Sequence, residues 1–286
     1  MNNNKQSKID VNNNKQSIKI INSKSEYFPN FKEIFEYKDL LYFLILKDIK
    51  ARYAQSVIGI GWAIIQPLFF MLVFTVIFGK LAKIDSEGVP YQIFSFTALV
   101  PWTFFSNAMS DSANSLSGNL SLITNIYIPR ILIPLSATIG KFIDFIISFL
   151  ILIVLLLFYS YFPDQKIILI FMYIFLMFIS AFAFGLILGT MAIQYRDIKY
   201  ALPFGIQLFM YASPVAYSTN MIPEKYHIIY ALNPMVTVVE GFRNIFLNIE
   251  NITVEMILVS FSISFLCLMI GIIYFSKTER IFADVV

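Results

Sequence analysis

Along most of the chain, apolar residues come in runs too long and too unbroken for the surface helices or strands of a soluble protein. Six runs stand at about 60–79, 93–110, 142–162, 167–193, 201–219 and 256–275. A helix rises ~1.5 Å per residue, so about 20 residues cross a hydrocarbon core of ~30 Å. The third, fourth and sixth runs meet that length cleanly. The first carries Pro67, the second Pro101, and the fifth Pro203 and Pro214. Proline is tolerated in a membrane helix where neighbours or water satisfy the freed carbonyl, so these runs are expected to kink or to line a polar cavity. The pattern predicts an all-α integral membrane protein, with six transmembrane helices in one domain over 56–286.

The flanks read differently. Residues 1–30 are polar, and Asn-Asn-Asn-Lys-Gln-Ser occurs at 2–7 and again at 12–17. Such a segment cannot bury a core, and no apolar stretch follows Met1 as a signal peptide requires. A disordered cytoplasmic tail is expected. Over 31–55, Phe35, Leu40, Phe43 and Leu44 alternate with charges that gather toward Arg52. This predicts an amphipathic helix lying on the inner membrane face, the alternative being an ordinary solvent-facing helix. Between the fifth and sixth runs, residues 228–246 are largely apolar, yet Pro223 and Pro234 divide the segment into pieces too short to span. Two short re-entrant helices in the outer leaflet are expected there.

Composition narrows the picture. Hydrophobic residues make up 58% of the 286 and charged ones 14%, against about 25% in a soluble domain. A net charge of +3 without a basic stripe gives no sign of nucleic-acid binding. One cysteine, Cys267, and one histidine, His227, exclude an internal disulfide and Cys- or His-based metal clusters. With the N-terminus inside, sixteen of the 21 Lys and Arg residues fall on inner segments and five on outer ones. That bias predicts both termini on the cytoplasmic side. Gly79-Lys80-Leu81 and Gly140-Lys141-Phe142 both fail the P-loop pattern, so no ATP site of that kind is expected. Asp144 is the one charge near membrane depth, with Lys141 three residues before it on the same helical face. Gly185 and Gly189 form a G-x-x-x-G pair that predicts close helix packing.

Several stretches occur in a telling order: Lys47-Asp48-Ile49-Lys50-Ala51-Arg52-Tyr53, Gly59-Ile60-Gly61-Trp62 with Pro67, and Pro101-Trp102-Thr103-Phe104-Phe105-Ser106-Asn107. Tyr127-Ile128-Pro129-Arg130, Tyr195-Arg196-Asp197-Ile198, Ser213-Pro214-Val215-Ala216-Tyr217, Asn233-Pro234-Met235 and the ending Phe282-Ala283-Asp284-Val285 follow. From about residue 37 onward the chain resembles the permease subunit of type-2 ABC exporters of polysaccharides, whether O-antigen, capsule or teichoic acid. The Asn-rich tail is no part of that pattern.

The resemblance implies a homodimer in the bacterial cytoplasmic membrane, bound to two copies of a cytoplasmic ABC ATPase. ATP and magnesium would be held by the ATPase, with no cofactor in this chain. The cargo would be a lipid-linked polysaccharide, on undecaprenyl pyrophosphate in many members. Lys47, Lys50 and Arg52 would attract that pyrophosphate or, equally well, anionic phospholipid. Contact with the ATPase would come from two inner segments, one holding Leu122, Tyr127 and Arg130, the other Arg196, Asp197 and Lys199. Sugars stack on aromatic rings, so Trp62, Phe70, Phe74, Trp102, Phe105, Tyr211 and Tyr217 are candidates for the conduit, although such rings also pack cores and face lipid. The outer segment 223–248 would serve as a gate, with Pro234 opening its second helix and Glu240 and Arg243 placed to pair. Two rival readings are a type-2 permease for drugs or lipids and a membrane glycosyltransferase. The latter needs a catalytic carboxylate or histidine constellation that the sequence does not clearly offer.

Overall fold

The computed structural model describes residues 35–53, 58–120, 122, 128–163 and 165–279, and among these every regular element is helical. The tail over 1–30, Tyr127 and the ending 282–285 lie outside the described residues. Helix α1 (Lys38–Tyr53) precedes α2 (Gly61–Phe74), which passes through Pro67 and runs on into a π-helical segment, Thr75–Leu81. Helix α3 (Tyr91–Gly118) continues through Pro101. Helices α4 (Leu132–Gly140) and α5 (Phe142–Phe158) meet at Lys141. A 3-10 turn at Gln165–Leu169 leads into α6 (Ile170–Gln194), and α7 (Asp197–Tyr211) follows after a tight turn. Short turns and α8 (His227–Tyr230) lead to α9 (Pro234–Leu247) and finally α10 (Val254–Thr278).

Helices α3 and α6 form the central pair, and the other elements are arranged on it. Their close approach follows from the G-x-x-x-G pair. A Cβ added at Gly185 would stand 2.5 Å from Ser112 Cβ, and one at Gly189 would stand 3.0 Å from the Ala113 carbonyl oxygen. Without those carbons the two backbones touch, which compensates for the weak hydrophobic drive between helices in lipid. Hydroxyl bonds add to this. Ser180 on α6 bonds Ser264 on α10 at 2.9 Å, and Thr237 on α9 bonds Ser260 on α10 at 2.6 Å.

The connecting segments sort to two ends. At one end, Arg52 reaches Asp144, Lys47 reaches Asn119 and Arg130 reaches Glu279. At the other, Glu87 collects Ser218, Asn220 and Asn251, while Lys166 pairs with Glu250. These are the groups that the charge count assigns to the inner and outer sides.

Four helices are long and apolar enough to cross a membrane: Gly61–Leu81, Leu132–Phe158, Lys166–Gln194 and Val254–Thr278. The expected second and fifth runs differ from this. Helix α3 has 28 residues, ample in length, but its second half carries Ser, Asn and Asp. Helix α7 has only 15 residues, about 22 Å, and stops at Tyr211 before Pro214 instead of reaching 219. The third run begins earlier than its apolar stretch, because α4 extends it to Leu132 with a break at Lys141. Helix α1 does not collect its apolar residues on one face. Leu44 is buried while the neighbouring Tyr42 and Phe43 are exposed.

The α3–α6 contact gives a direct test. Gly189→Val should lower the thermal midpoint of the detergent-solubilised protein, by the equivalent of about 1–3 kcal/mol for overpacking. Gly205→Val, on α7 where nothing stands within 4 Å, should leave it nearly unchanged.

Candidate functional site

Three sets of side chains carry the polar chemistry of the bundle. The first lies where α1 meets the α4–α5 break. Arg52 Nη1 donates to Asp144 Oδ2 at 2.7 Å, and its Nη2 donates to the Gly140 carbonyl at 2.9 Å. Lys141 pairs with Asp111 of α3 at 2.7 Å and stands 3.9 Å from Asp144. The Tyr53 hydroxyl also donates to Asp144. Burial, and then this bond, push Tyr53 up to about 12, so it remains a proton donor at neutral pH. Burial likewise lifts Asp48 above the usual carboxylate range, against the pull of Lys47 and Arg52. The expected Lys141–Asp144 pair is therefore the longer contact. Each partner has a shorter one, because the helix break turns Lys141 toward α3 and Arg52 approaches Asp144 from α1.

Beside this cluster lies a cavity of about 260 Å³ between α1, α2, α3 and α5. Its wall includes Trp62, Gln66, Thr103, Asn107 and Ser148 as well as the ionic groups.

The second set is buried on α9. Asn233 caps this helix by accepting from the Met235 N–H at 3.0 Å, and Pro234 takes the first turn, where its missing N–H costs nothing. Every residue of α9 is buried, Glu240 and Arg243 included. Arg243 Nη1 donates to Glu240 Oε1 at 3.0 Å and to the Tyr217 carbonyl at 3.1 Å, and Nη2 donates to the Val215 carbonyl at 3.2 Å. Its guanidinium also lies 3.7 Å over the Phe94 ring. Glu240 Oε1 additionally accepts from the Thr219 hydroxyl at 2.8 Å. The pair expected from spacing is thus formed, and its wider role is to bind the chain that leaves α7. Asn233 Nδ2 donates to the Ala212 carbonyl and to the Ser213 hydroxyl, both at 2.9 Å, and fastens the same segment from the other side. The third set is the Glu87 network at the opposite end of the bundle from α1.

The residues chosen from sequence fall into several environments. Of the conduit candidates, Trp62, Phe70 and Tyr211 are exposed on the chain. Phe74, Trp102 and Phe105 are instead buried in its core. Trp102 and Phe105 sit against Phe209 of α7, with centroids 6.3 and 5.7 Å apart, so within one chain these rings hold helices together. Tyr217 is half-buried and donates to the Tyr211 carbonyl at 3.0 Å. Of the coupling candidates, Arg196, Asp197 and Lys199 are exposed in the turn that opens α7. Leu122 packs on the cluster around Leu116 and Ile128, and Arg130 turns inward to the end of α10. The second pair thus faces the protein, since apolar burial and the Glu279 contacts hold it there. Of the three cations on α1, Lys50 is exposed, Lys47 is held by Asn119 at 2.6 Å and Arg52 is spent on Asp144. Gln66, Asp111 and Ser148 were not legible as site residues, because a lone polar residue in an apolar run has no spacing signature.

Residues 39–247 match the family model described as ABC-2 type transporter. The chain belongs to the ABC-2 type transporter family. It is 30% identical over 253 residues to the O-antigen export system permease protein RfbA of Klebsiella pneumoniae, covering 86% of this chain and 95% of that one. It is 27% identical to the RfbA protein of Myxococcus xanthus, over 75% of this chain and 83% of the relative. Similarity extends to the polysialic acid transport protein KpsM of Escherichia coli, at 23% identity over 70% of this chain and 78% of that one. In this ABC-2 chain the ordered stretches converge in space. Those at 213–217 and 233–235 meet through Asn233 and Arg243, and those at 47–53, 59–62 and 101–107 surround the cavity.

The buried pair is open to measurement. Glu240→Ala or Arg243→Ala alone should destabilise the folded protein by about 3–5 kcal/mol, because each leaves a buried charge without its partner. The double variant should lose clearly less than the two losses added together, which a thermal double-mutant cycle in detergent will show.

Proposed function

We propose that this chain is the membrane-spanning subunit of an exporter that moves a lipid-linked polysaccharide of the O-antigen, capsular or teichoic-acid kind across the bacterial cytoplasmic membrane. The observation that carries this reading is the similarity over most of the chain to permeases named for O-antigen export, joined by a polysialic acid transport protein. A drug or lipid permease finds no such support. In this reading the chain is a transport subunit. ATP and magnesium belong to a separate ABC ATPase, two copies of which serve a homodimer of the permease.

The same reading completes the topology. Six crossings result if α3 and α7 join the four long apolar helices, α7 spanning with the segment up to about 219. The α1 end is then cytoplasmic and the Glu87 end faces outward. Helices α8 and α9 form the re-entrant segment, with α9 as a plug whose fit depends on Pro234, Glu240 and Arg243. The ATPase docks on the exposed turn of Arg196, Asp197 and Lys199, and on Tyr127 of the other inner segment, which Leu122 and Arg130 brace from the protein side rather than by touching the ATPase. Of the aromatics, the exposed Trp62, Phe70 and Tyr211 are best placed to meet cargo between two copies.

Two measurements test this reading. Cysteine at position 162 should react with a membrane-impermeant reagent from outside the cell and cysteine at 200 should not; labelling from the same side at both would remove the six-span topology. Arg196→Ala with Asp197→Ala should insert normally but reduce retention of the ATPase on the membrane and lower surface glycan several-fold. Full export by the double variant would remove the docking role of this turn.

A further inference from the structure

The cavity beside Arg52 is built in a way that suits one kind of ligand. Three helices each supply a pair of residues one turn apart, and all three pairs face the same space. They are Trp62 and Gln66 on α2, Thr103 and Asn107 on α3, and Asp144 and Ser148 on α5. Spacing of four residues puts each pair on one helix face. Ser148 is only 4% exposed, lines the cavity, and makes no hydrogen bond to another described residue. The amides of Gln66 and Asn107 likewise have no partner among the described residues. The cavity therefore presents groups that each can donate and accept, beside a half-exposed indole.

The charges around it select against an anion. Arg52 is neutralised by Asp144 at 2.7 Å and Lys141 by Asp111 at 2.7 Å. A phosphate or pyrophosphate is recognised by free Arg and Lys donors, and here both cations already have carboxylates. A neutral pyranose asks for the opposite: dipolar groups for its hydroxyls and a flat apolar face for its C–H surface. The volume of about 260 Å³ lies below the range of drug-sized sites and suits a single ring.

We propose that this cavity is a saccharide subsite for a single neutral sugar ring, with Trp62 as its platform and Gln66, Asn107 and Ser148 as its hydrogen-bonding groups. It rests on the polysaccharide reading and deepens it by naming where one residue of the glycan is held within a single copy of the chain. The Arg52–Asp144 pair closes the α1 side of the site and positions the Asp144 helix turn without itself needing to bind the ring.

The test uses the full chain in phosphatidylcholine nanodiscs. Its indoles are Trp62 and Trp102, so Trp102→Phe leaves Trp62 as the only reporter. If that variant does not fold, the difference between wild type and Trp62→Phe gives the same signal. Glucose, galactose, mannose, rhamnose and N-acetylglucosamine are titrated, with inorganic pyrophosphate as the anionic arm and sorbitol as an acyclic one. A saturable change in emission with at least one pyranose, and none with pyrophosphate or sorbitol, is expected. Gln66→Ala with Asn107→Ala should weaken that response about tenfold, as loss of two neutral hydrogen bonds implies. A response to pyrophosphate but to no pyranose, no response to any ligand, or a pyranose response unchanged in the double variant would each overturn the subsite. Surface glycan in cells carrying the chain or lacking it reports on the exporter separately. Glycan export that depends on the chain, without pyranose binding, removes the subsite and leaves the exporter. Export that continues in cells lacking the chain removes the exporter whatever the sugars do.

Discussion

The structure depends on two backbones being allowed to touch. Between α3 and α6, Gly185 and Gly189 leave no side chain to hold the helices apart, and Ser112 and Ala113 fill the space. In lipid the apolar side chains gain nothing by leaving a hydrocarbon solvent, so close contact and hydrogen bonding must supply the cohesion. Three polar sets are arranged around that axis: the ionic cluster at one end, the Glu87 network at the other, and the α9 pair, which adjoins the Glu87 network through residues 215–219.

The ionic cluster at the α1 end and the α9 pair solve the same problem in different ways. Arg52, Lys141, Asp111 and Asp144 share their charges at a partly exposed boundary, where each member keeps some access to water. Glu240 and Arg243 are fully buried, and so they need one another, two backbone carbonyls and the Phe94 ring. Glu240 Oε2 and Arg243 Nε are left without a partner among the described residues, so this arrangement is not fully satisfied. The first cluster borders a cavity; the second fills what would otherwise be one.

Much of the fold could be read from the sequence, because long apolar runs and the G-x-x-x-G pair are local signals. The Glu240–Arg243 pair was legible for the same reason, being three residues apart on one helix. The boundaries of the runs were less so. Helix α3 is interior enough to carry Ser, Asn and Asp, and the α4–α5 segment begins before its strongest hydropathy. Long-range partners were not legible at all. Nothing local joins Arg52 to Asp144 across 92 positions, or Arg243 to the carbonyls after α7. Aromatic candidates showed the limit most clearly. The same residue type serves as core in Trp102 and as exposed surface in Trp62, and only packing separates them.

The burial of α9 also sets an order of assembly. A helix carrying Glu240 and Arg243 will not partition into lipid by itself, since ionised side chains at membrane depth are strongly disfavoured. Its berth is made partly by α10, through Thr237 and Ser260 and the contact of Val236 with Met256. Helix α10 follows α9 in the chain and leaves the ribosome after it. The groups that satisfy the two charges, however, are the Phe94 ring, the Val215 and Tyr217 carbonyls and the Thr219 hydroxyl, all of which precede α9, so α9 can seat its ion pair first and α10 then closes over it. A nascent chain stopped before α10 would hold the ion pair and still leave Thr237 and Val236 uncovered, without Ser260 and Met256.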